Sequence, residues 1–200
     1  MAGLLPPDHI EFYKRQANLK IENLRSETVE FISNFFKFHK ELPHFPWTFT
    51  KTYETLRLLC DTIGHQNLLL EQLPFIIIND LQRAVGAFPS GYVPMFRADG
   101  KTLTNGTIPE QLTVGELEKE ADLFEKQMYT YINLHFVLYK RLPEIPHSYI
   151  VGYKYLELKR LQTGSNYPLE NLPNILQLRI IKSVGRIPNG YIPGATNVGY

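Results

Sequence analysis

Apolar residues recur at three- and four-residue steps from Asp8 to about Lys40, which predicts one long helix or two abutting helices. Asp8 is placed to cap its N-terminus. The stripe becomes broad and aromatic toward its C-terminal end, so we expect that end to be the more deeply buried. The residues expected to face the core are Ile10, Tyr13, Ala17, Ile21, Leu24, Phe31, Ile32, Phe35 and Phe38.

The segment Leu42-Pro43-His44-Phe45-Pro46 is predicted to stop this helix, because each proline disfavours helical geometry in the residue before it. Trp47 and Phe49 follow, and we expect them to attach the elbow to the core. A second helix is predicted from about Thr50 to Ile63, with Gly64 as its C-terminal cap. Its core-facing residues are expected to be Tyr53, Leu56, Leu59, Cys60 and Ile63.

A third helix is predicted to open at Leu73-Pro74 and to run to Val85, because proline suits the first helical position. The β-branched run Phe75–Ile78 is also compatible with a strand. The corresponding residues 174–181 mix apolar with polar positions, which favours a helix.

The same pattern occurs twice in the chain. Lys40-Glu41-Leu42-Pro43-His44-Phe45-Pro46 returns one hundred positions later as Lys140-Arg141-Leu142-Pro143-Glu144-Ile145-Pro146. After Gly64 and Gly164 one residue is lost, and the offset becomes ninety-nine. Each copy closes on a proline–glycine–tyrosine elbow at residues 89–94 and 188–193. Further matched pairs are Tyr53/Tyr153, Leu56/Leu156, Leu58/Leu158, Glu71/Glu170, Leu73/Leu172, Pro74/Pro173 and Val85/Val184.

These patterns predict an all-α protein built by tandem duplication of a three-helix unit with proline-rich elbows, packed about a pseudo-twofold axis or stacked as a short repeat. The predicted divisions are a first repeat over 1–94 (core 29–94), a linker over 95–108, a second repeat over 109–193 (core 129–193), and an extended tail over 194–200.

In the second repeat the long helix is predicted to start at Thr107–Glu110 or at Thr113–Glu116, since both have capping-box spacing, and to end near Arg141. Helices over about 150–162 and 174–184 follow. The side chains expected to face inward on the long helix are Leu117, Phe124, Met128, Ile132, His135, Phe136 and Tyr139.

Composition narrows the class of protein. The chain has 200 residues, 44% of them hydrophobic, and a net charge of +1, so no global charge attracts nucleic acid or anionic membrane. From Lys140 to the end there are eight basic and three acidic residues, a local excess of +5. No apolar run reaches the roughly 18 residues of a membrane span, and no secretory signal is recognisable, so an intracellular location is expected.

Candidate chemistry is sparse. Cys60 is the single cysteine, which excludes an intramolecular disulfide, and a buried or half-buried thiol is expected. No two histidines have the four-residue spacing of a helical metal pair, and no phosphate-binding glycine motif is present. The residues shared by the two copies are mostly proline, glycine, aliphatic and aromatic. We therefore expect no catalytic site, no cofactor and no metal.

One stretch resembles a known family. Phe31 to Gly64 contains Phe38-His39-Lys40, a proline loop, and then Tyr53-x-x-Leu56-Arg57-Leu58-Leu59 before a glycine. This order is similar to the opening helices of AT-rich-interaction DNA-binding domains, which are also helical modules. The paired glycine, the later tryptophan and the basic reading loop of that family are missing here. The resemblance implies a helical fold over about a sixth of the chain.

The sequence thus favours a non-enzymatic structural or assembly subunit, a helical scaffold that binds other protein subunits and could also self-associate. The residues predicted to contact partners are Trp47, Tyr92, Tyr191 and Tyr200. The alternative is a nucleic-acid-binding helical module that uses the basic second repeat. Its predicted contacts are Lys140, Arg141, Lys154, Lys159, Arg160, Arg179, Lys182 and Arg186.

Overall fold

A computed structural model of the chain describes residues 6–43, 45–86 and 112–194, and these residues form helices and connections without a strand. The all-α prediction is confirmed, and Phe75–Ile78 is helical. The six helices are α1 (Pro7–His39), α2 (Trp47–Thr62), α3 (Leu68–Val85), α4 (Val114–Tyr139), α5 (His147–Thr163) and α6 (Leu172–Val184), with a 3-10 turn at Leu169–Asn171.

The chain divides into two compact units, Met1–Thr107 and Ile108–Tyr200, called unit 1 and unit 2 below. The predicted linker 95–108 and the elbow 89–94 lie outside the described residues, as does the tail beyond Gly194.

In unit 1, α1 packs against both α2 and α3. Two polar contacts fix α3 on α1. Arg25 Nε donates to Asp80 Oδ2 at 2.7 Å, and Asn67 Nδ2 donates to Asn18 Oδ1 at 2.7 Å. Arg25 follows Asn18 along α1, and its partner Asp80 follows Asn67 along α3, so the two helices run in the same direction.

In unit 2, α4 packs against α5 and α6. The capping box at Thr113 decides between the two predicted starts of this helix, since the Thr113 hydroxyl accepts from Glu116 N–H and the Glu116 carboxylate accepts from Thr113 N–H. Phe124 is fully buried and stacks on Tyr149, with ring centroids 5.6 Å apart. Arg179 Nη1 donates to Glu125 Oε2 at 2.5 Å and joins α6 to α4.

The second proline of each elbow immediately precedes a helix. Pro46 and Pro146 are extended N-cap residues, and their carbonyls accept from the N–H groups of Phe49 and Tyr149. The predicted starts near 50 and 150 were therefore about three residues late. Trp47 and Phe49 lie in the first turn of α2 and are buried, as expected of residues that attach the elbow to the core.

The predicted start of α3 was wrong by five residues. Asn67 caps the helix by accepting from Leu70 N–H, and Pro74 lies inside the helix. The added turn buries Leu70 and makes the bond to Asn18, which compensates for the backbone hydrogen bond that Pro74 cannot donate. In unit 2, Pro173 does lie in the first turn of α6, as predicted.

The ends of the long helices are less buried than their apolar patterns predicted. Phe38 is 53% exposed, and Tyr139 and Tyr13 are also exposed. α1 has 33 residues, whereas α2 and α3 have 16 and 18. At about 1.5 Å per residue its ends extend past its neighbours, so an apolar side chain there has nothing to cover it. On α2 the predicted core-facing Leu59 and Ile63 are only partly buried.

Lys40 and Lys140, which stand at matched positions in the sequence, end α1 and α4 in a left-handed conformation. Lys40 has φ 60° and Lys140 has φ 61°, and their N–H groups donate to the carbonyls of Phe36 and Phe136. The helices therefore end at residues 39 and 139, so α4 stops about two residues before the predicted Arg141. A left-handed residue other than glycine is strained, because its Cβ approaches the following carbonyl oxygen.

Replacing Lys140 by glycine is expected to stabilise the protein by about 1 kcal/mol, because glycine adopts this conformation without strain. Denaturant unfolding measures the change. As a matched control, glycine at the exposed Lys126 inside α4 should destabilise by about 1 kcal/mol. Destabilisation by K140G would contradict the prediction and show that the lysine side chain contributes more than the strain removes.

Candidate functional site

A polar cleft of about 470 Å³ lies in unit 1, between the C-terminal end of α2 and the start of α3. Its charged side chains are Arg57 and Asp61 from α2 and Glu71 from α3. The remaining lining residues are Tyr53, Cys60, Gly64, His65, Gln66, Asn67 and Leu70. A cleft of this volume can hold a side chain or a small polar ligand.

The floor of the cleft is fixed and its rim is accessible. Asn67 is buried and bonded to both Asn18 and Leu70, whereas Asp61 and Glu71 are exposed. Glu71 Oε1 accepts from Gln66 Nε2 at 3.1 Å. Among the described residues, neither Asp61 nor Glu71 forms an ion pair, so the cleft carries two carboxylates against one guanidinium, that of Arg57.

The Cys60 thiol does not have the surroundings of a nucleophile. Burial and then the Asp61 carboxylate raise its pKa, which lowers the thiolate fraction. Within the part of the chain that the structure describes, no hydrogen bond joins the thiol to His65. The expected buried thiol is confirmed.

Unit 2 places an arginine where unit 1 has Cys60. Arg160 Nη1 donates to Glu170 Oε2 at 2.6 Å and to the carbonyl of Tyr167 at 3.2 Å. The backbone N–H of Glu170, followed by Arg160, lowers the pKa of this exposed carboxylate. The hydroxyl of Tyr153, which corresponds to Tyr53, donates to the carbonyl of Leu169 at 3.1 Å. The segment between α5 and α6 is thus tied to α5 by two side chains.

A second candidate surface is the outer side of α3. Leu68 and Phe75 are seven residues apart, two turns along the helix, and are 64% and 69% exposed. The buried residues Leu70, Leu73 and Ile77 lie on the opposite side of the helix. This pair, called the outer stripe of α3 below, was not predicted. A comparison of the matched positions in the sequence could have found it, since position 174, which corresponds to Phe75, is asparagine.

The residues predicted to contact partners occupy different environments. Trp47 is 4% exposed, so its ring lies in the interior rather than on a binding surface. Tyr191 is half-buried, and its hydroxyl donates to the carbonyl of Pro143 at 2.5 Å, which ties the second elbow to the first within unit 2. Burial raises the pKa of Tyr191. Tyr92 and Tyr200 lie outside the described residues.

The basic residues predicted for nucleic-acid contact do not all reach solvent. Lys159 is 8% exposed, with its ammonium 5.3 Å from the centroid of the Tyr155 ring. Arg160 and Arg179 are paired with Glu170 and Glu125. The exposed members of the set are Lys140, Arg141, Lys154, Lys182 and Arg186.

Neither a metal-binding group nor a membrane span is found in the described ranges. No three histidine, cysteine, aspartate or glutamate side chains gather there. Likewise, none of the helices described above is both long and apolar enough to cross a bilayer.

Comparison with known proteins assigns a family. No curated protein and no solved structure shows significant similarity to the chain. The family described as "domain of unknown function (DUF8802)" matches residues 8–197, nearly the whole chain, and the protein therefore belongs to that family.

Proposed function

We propose that this protein is a non-enzymatic structural or assembly subunit of a larger complex, a helical scaffold whose exposed apolar side chains bind other protein subunits. The observation that carries the proposal is the outer stripe of α3. Its two large apolar side chains face away from the core of unit 1, so packing within that unit does not account for them. Large apolar side chains grouped on a surface are typical of protein contacts.

Leu58 and Leu158 support the same proposal. They are matched positions on α2 and α5, and both are exposed on the side of the helix opposite its buried residues. Leu161, one turn beyond Leu158, is 76% exposed. An apolar residue that occurs at the same exposed position in both copies has a role other than filling the core.

The scaffold is proposed to have arisen by tandem duplication of a three-helix unit. Two side-chain contacts occur at matched positions in both units, and in each contact the two residue types have changed places. Arg25 corresponds to Glu125, and Asp80 corresponds to Arg179. The long helix and the third helix are thus joined by an ion pair in each unit, with opposite polarity.

The second such contact joins a histidine and an aromatic residue that are one helical turn apart, and the histidine comes second in unit 1 and first in unit 2. Phe35 contacts His39 at a ring-centroid distance of 4.4 Å, and in the matched pair His135 contacts Tyr139 at 4.8 Å. Substitution that preserves a contact while exchanging its members is expected when two copies diverge under one packing constraint.

The substitutions L19K and F75N test the proposal, because Lys119 and Asn174 are the residues that unit 2 has at the matched positions. Leu19 is an exposed apolar residue of α1, outside the outer stripe, and Phe75 is an exposed member of that stripe, so folding should be unaffected by either substitution. We expect partner subunits that co-purify with the tagged chain after nuclease treatment to be retained about tenfold less by the double variant, since an exposed aromatic anchor typically dominates an interface.

The control is the pair K20A and N79A, exposed or half-exposed polar positions on the same two helices, which should retain the partners. Retention of every partner by L19K/F75N would contradict a role for the outer stripe. Partners that disappear with nuclease treatment would favour the nucleic-acid alternative and its exposed lysines and arginines.

A further inference from the structure

We propose that the polar cleft of unit 1 is a binding site for an arginine side chain supplied by a partner protein. The inference rests on the proposed function for the source of the arginine, and it adds the chemistry of the contact. Its basis is the difference between the two units at one position, Cys60 in unit 1 and Arg160 in unit 2.

The surroundings of this position correspond in the two units. Tyr53, Gly64, Leu70 and Glu71 line the cleft, and their counterparts are Tyr153, Gly164, Leu169 and Glu170. Leu70 and Leu169 are both buried, and the two glycines both have a positive φ, +65° and +73°. The shared glutamate follows a buried leucine in each unit, and it lies in the first turn of α3 in unit 1 and in the 3-10 turn before α6 in unit 2.

In unit 2 the guanidinium of Arg160 bridges the Glu170 carboxylate and a backbone carbonyl of the α5–α6 connection. In unit 1 the short side chain of Cys60 cannot reach across, and a cleft of about 470 Å³ lies beside it. Glu71 accepts a hydrogen bond there from the neutral amide of Gln66 and pairs with no cation among the described residues. Unit 1 thus presents an acceptor whose counterpart in unit 2 binds a guanidinium.

Charge and shape select the occupant. Arg57, Asp61 and Glu71 together give the cleft one excess negative charge, which favours a cation. A guanidinium is preferred over an ammonium, because its planar fork can donate to a carboxylate and a carbonyl at once, as Arg160 does, and it is the more weakly hydrated cation.

The first test uses the full chain and asks whether the cleft accepts an arginine. C60R installs the residue of unit 2, and we expect it to fold and to show coupling with Glu71, so that E71Q lowers the unfolding midpoint of C60R but leaves that of the wild-type chain unchanged. C60K should show at most half of this coupling. The proposal would be overturned if C60R folds and E71Q leaves its unfolding midpoint unchanged.

The second test does not depend on the folding of C60R. Capped arginine, N-acetyl-arginine methylamide, is titrated into the isotope-labelled wild-type chain. We expect saturable shifts of backbone amides between Gly64 and Glu71 with a dissociation constant of about 1–10 mM, at least fivefold weaker binding of capped lysine, and about tenfold weaker binding of capped arginine by E71Q. C60S, the matched control, should bind as the wild-type chain does.

Absence of saturable shifts in this segment, or equal binding of the two capped amino acids, would overturn the arginine site. Neither result would overturn the role of the outer stripe of α3, because L19K/F75N changes no residue that lines the cleft; Leu68 and Phe75 lie one helical turn before and one turn after Glu71. A failure of that test would leave the cleft measurement unchanged, so the two hypotheses fail separately.

Discussion

Reversing the charge of Arg25 is expected to destabilise unit 1 by about 2 kcal/mol, because R25E removes the paired hydrogen bonds to Asp80 and places two carboxylates against each other. The Asp80 side chain is 17% exposed, so water compensates only in part. Trp47 is the single tryptophan and is buried in α2 of unit 1. Its fluorescence during denaturant unfolding therefore reports the stability of unit 1.

The double variant R25E/D80R is expected to recover stability to within about 1 kcal/mol of the wild-type chain, since it reproduces the polarity of the Glu125–Arg179 pair in unit 2. The like-charged neighbours that it creates, Glu22 beside position 25 and Arg83 beside position 80, cost only a few tenths of a kcal/mol each. If the double variant is no more stable than R25E, the two ion pairs are not equivalent, and the proposed duplication loses its main support.

Truncating Phe124 to alanine is expected to destabilise unit 2 by about 3–5 kcal/mol, the largest single effect that we predict. The ring is fully buried in α4 and stacks on Tyr149 of α5, so its removal leaves a cavity and ends an aromatic contact. Hydrogen exchange of the amides of α4, α5 and α6 measures the loss where it occurs.

The matched control is F124L, which installs the residue that unit 1 has at the corresponding position, Leu24. Leucine fills most of the space, so we expect a loss of about 1.5 kcal/mol or less. A loss below about 1 kcal/mol for F124A would show that the surroundings of Phe124 collapse onto the cavity, and that this ring is not central to the core of unit 2.

The helices themselves could be predicted because their signals are local. Apolar spacing, the proline elbows, the capping box at Thr113 and the glycines after the helices act over four residues or fewer. Such signals indicated all six helices, with most ends within about three residues. The matched residue pairs were also readable from the sequence, because their alignment needs no structure, and the duplication that they suggest stays a prediction.

The candidate site could not be predicted in the same way, because the residues that line it come from two helices and their connection and share no regular spacing in the sequence. Cys60 and Glu71 lie on different helices, and the cleft between them depends on how α2 and α3 each pack on α1. The contrast between Cys60 and Arg160 was visible in sequence. Its meaning depends on the contact of Arg160 with Glu170, which only the folded chain shows.

By itself, then, the sequence determined the helical class, the proline elbows before α2 and α5 and the capping box at Thr113, since hydrophobic periodicity and backbone stereochemistry operate within a turn or two. Tertiary structure decided where α3 begins, because the Asn67–Asn18 bond and the burial of Leu70 outweigh the tendency of Pro74 to start a helix. It also decided that Phe38 and Tyr139 face solvent, that Trp47 is interior, and that Lys159 is buried. In each case neighbouring helices determine how much of a side chain is covered, and that information is absent from any single segment.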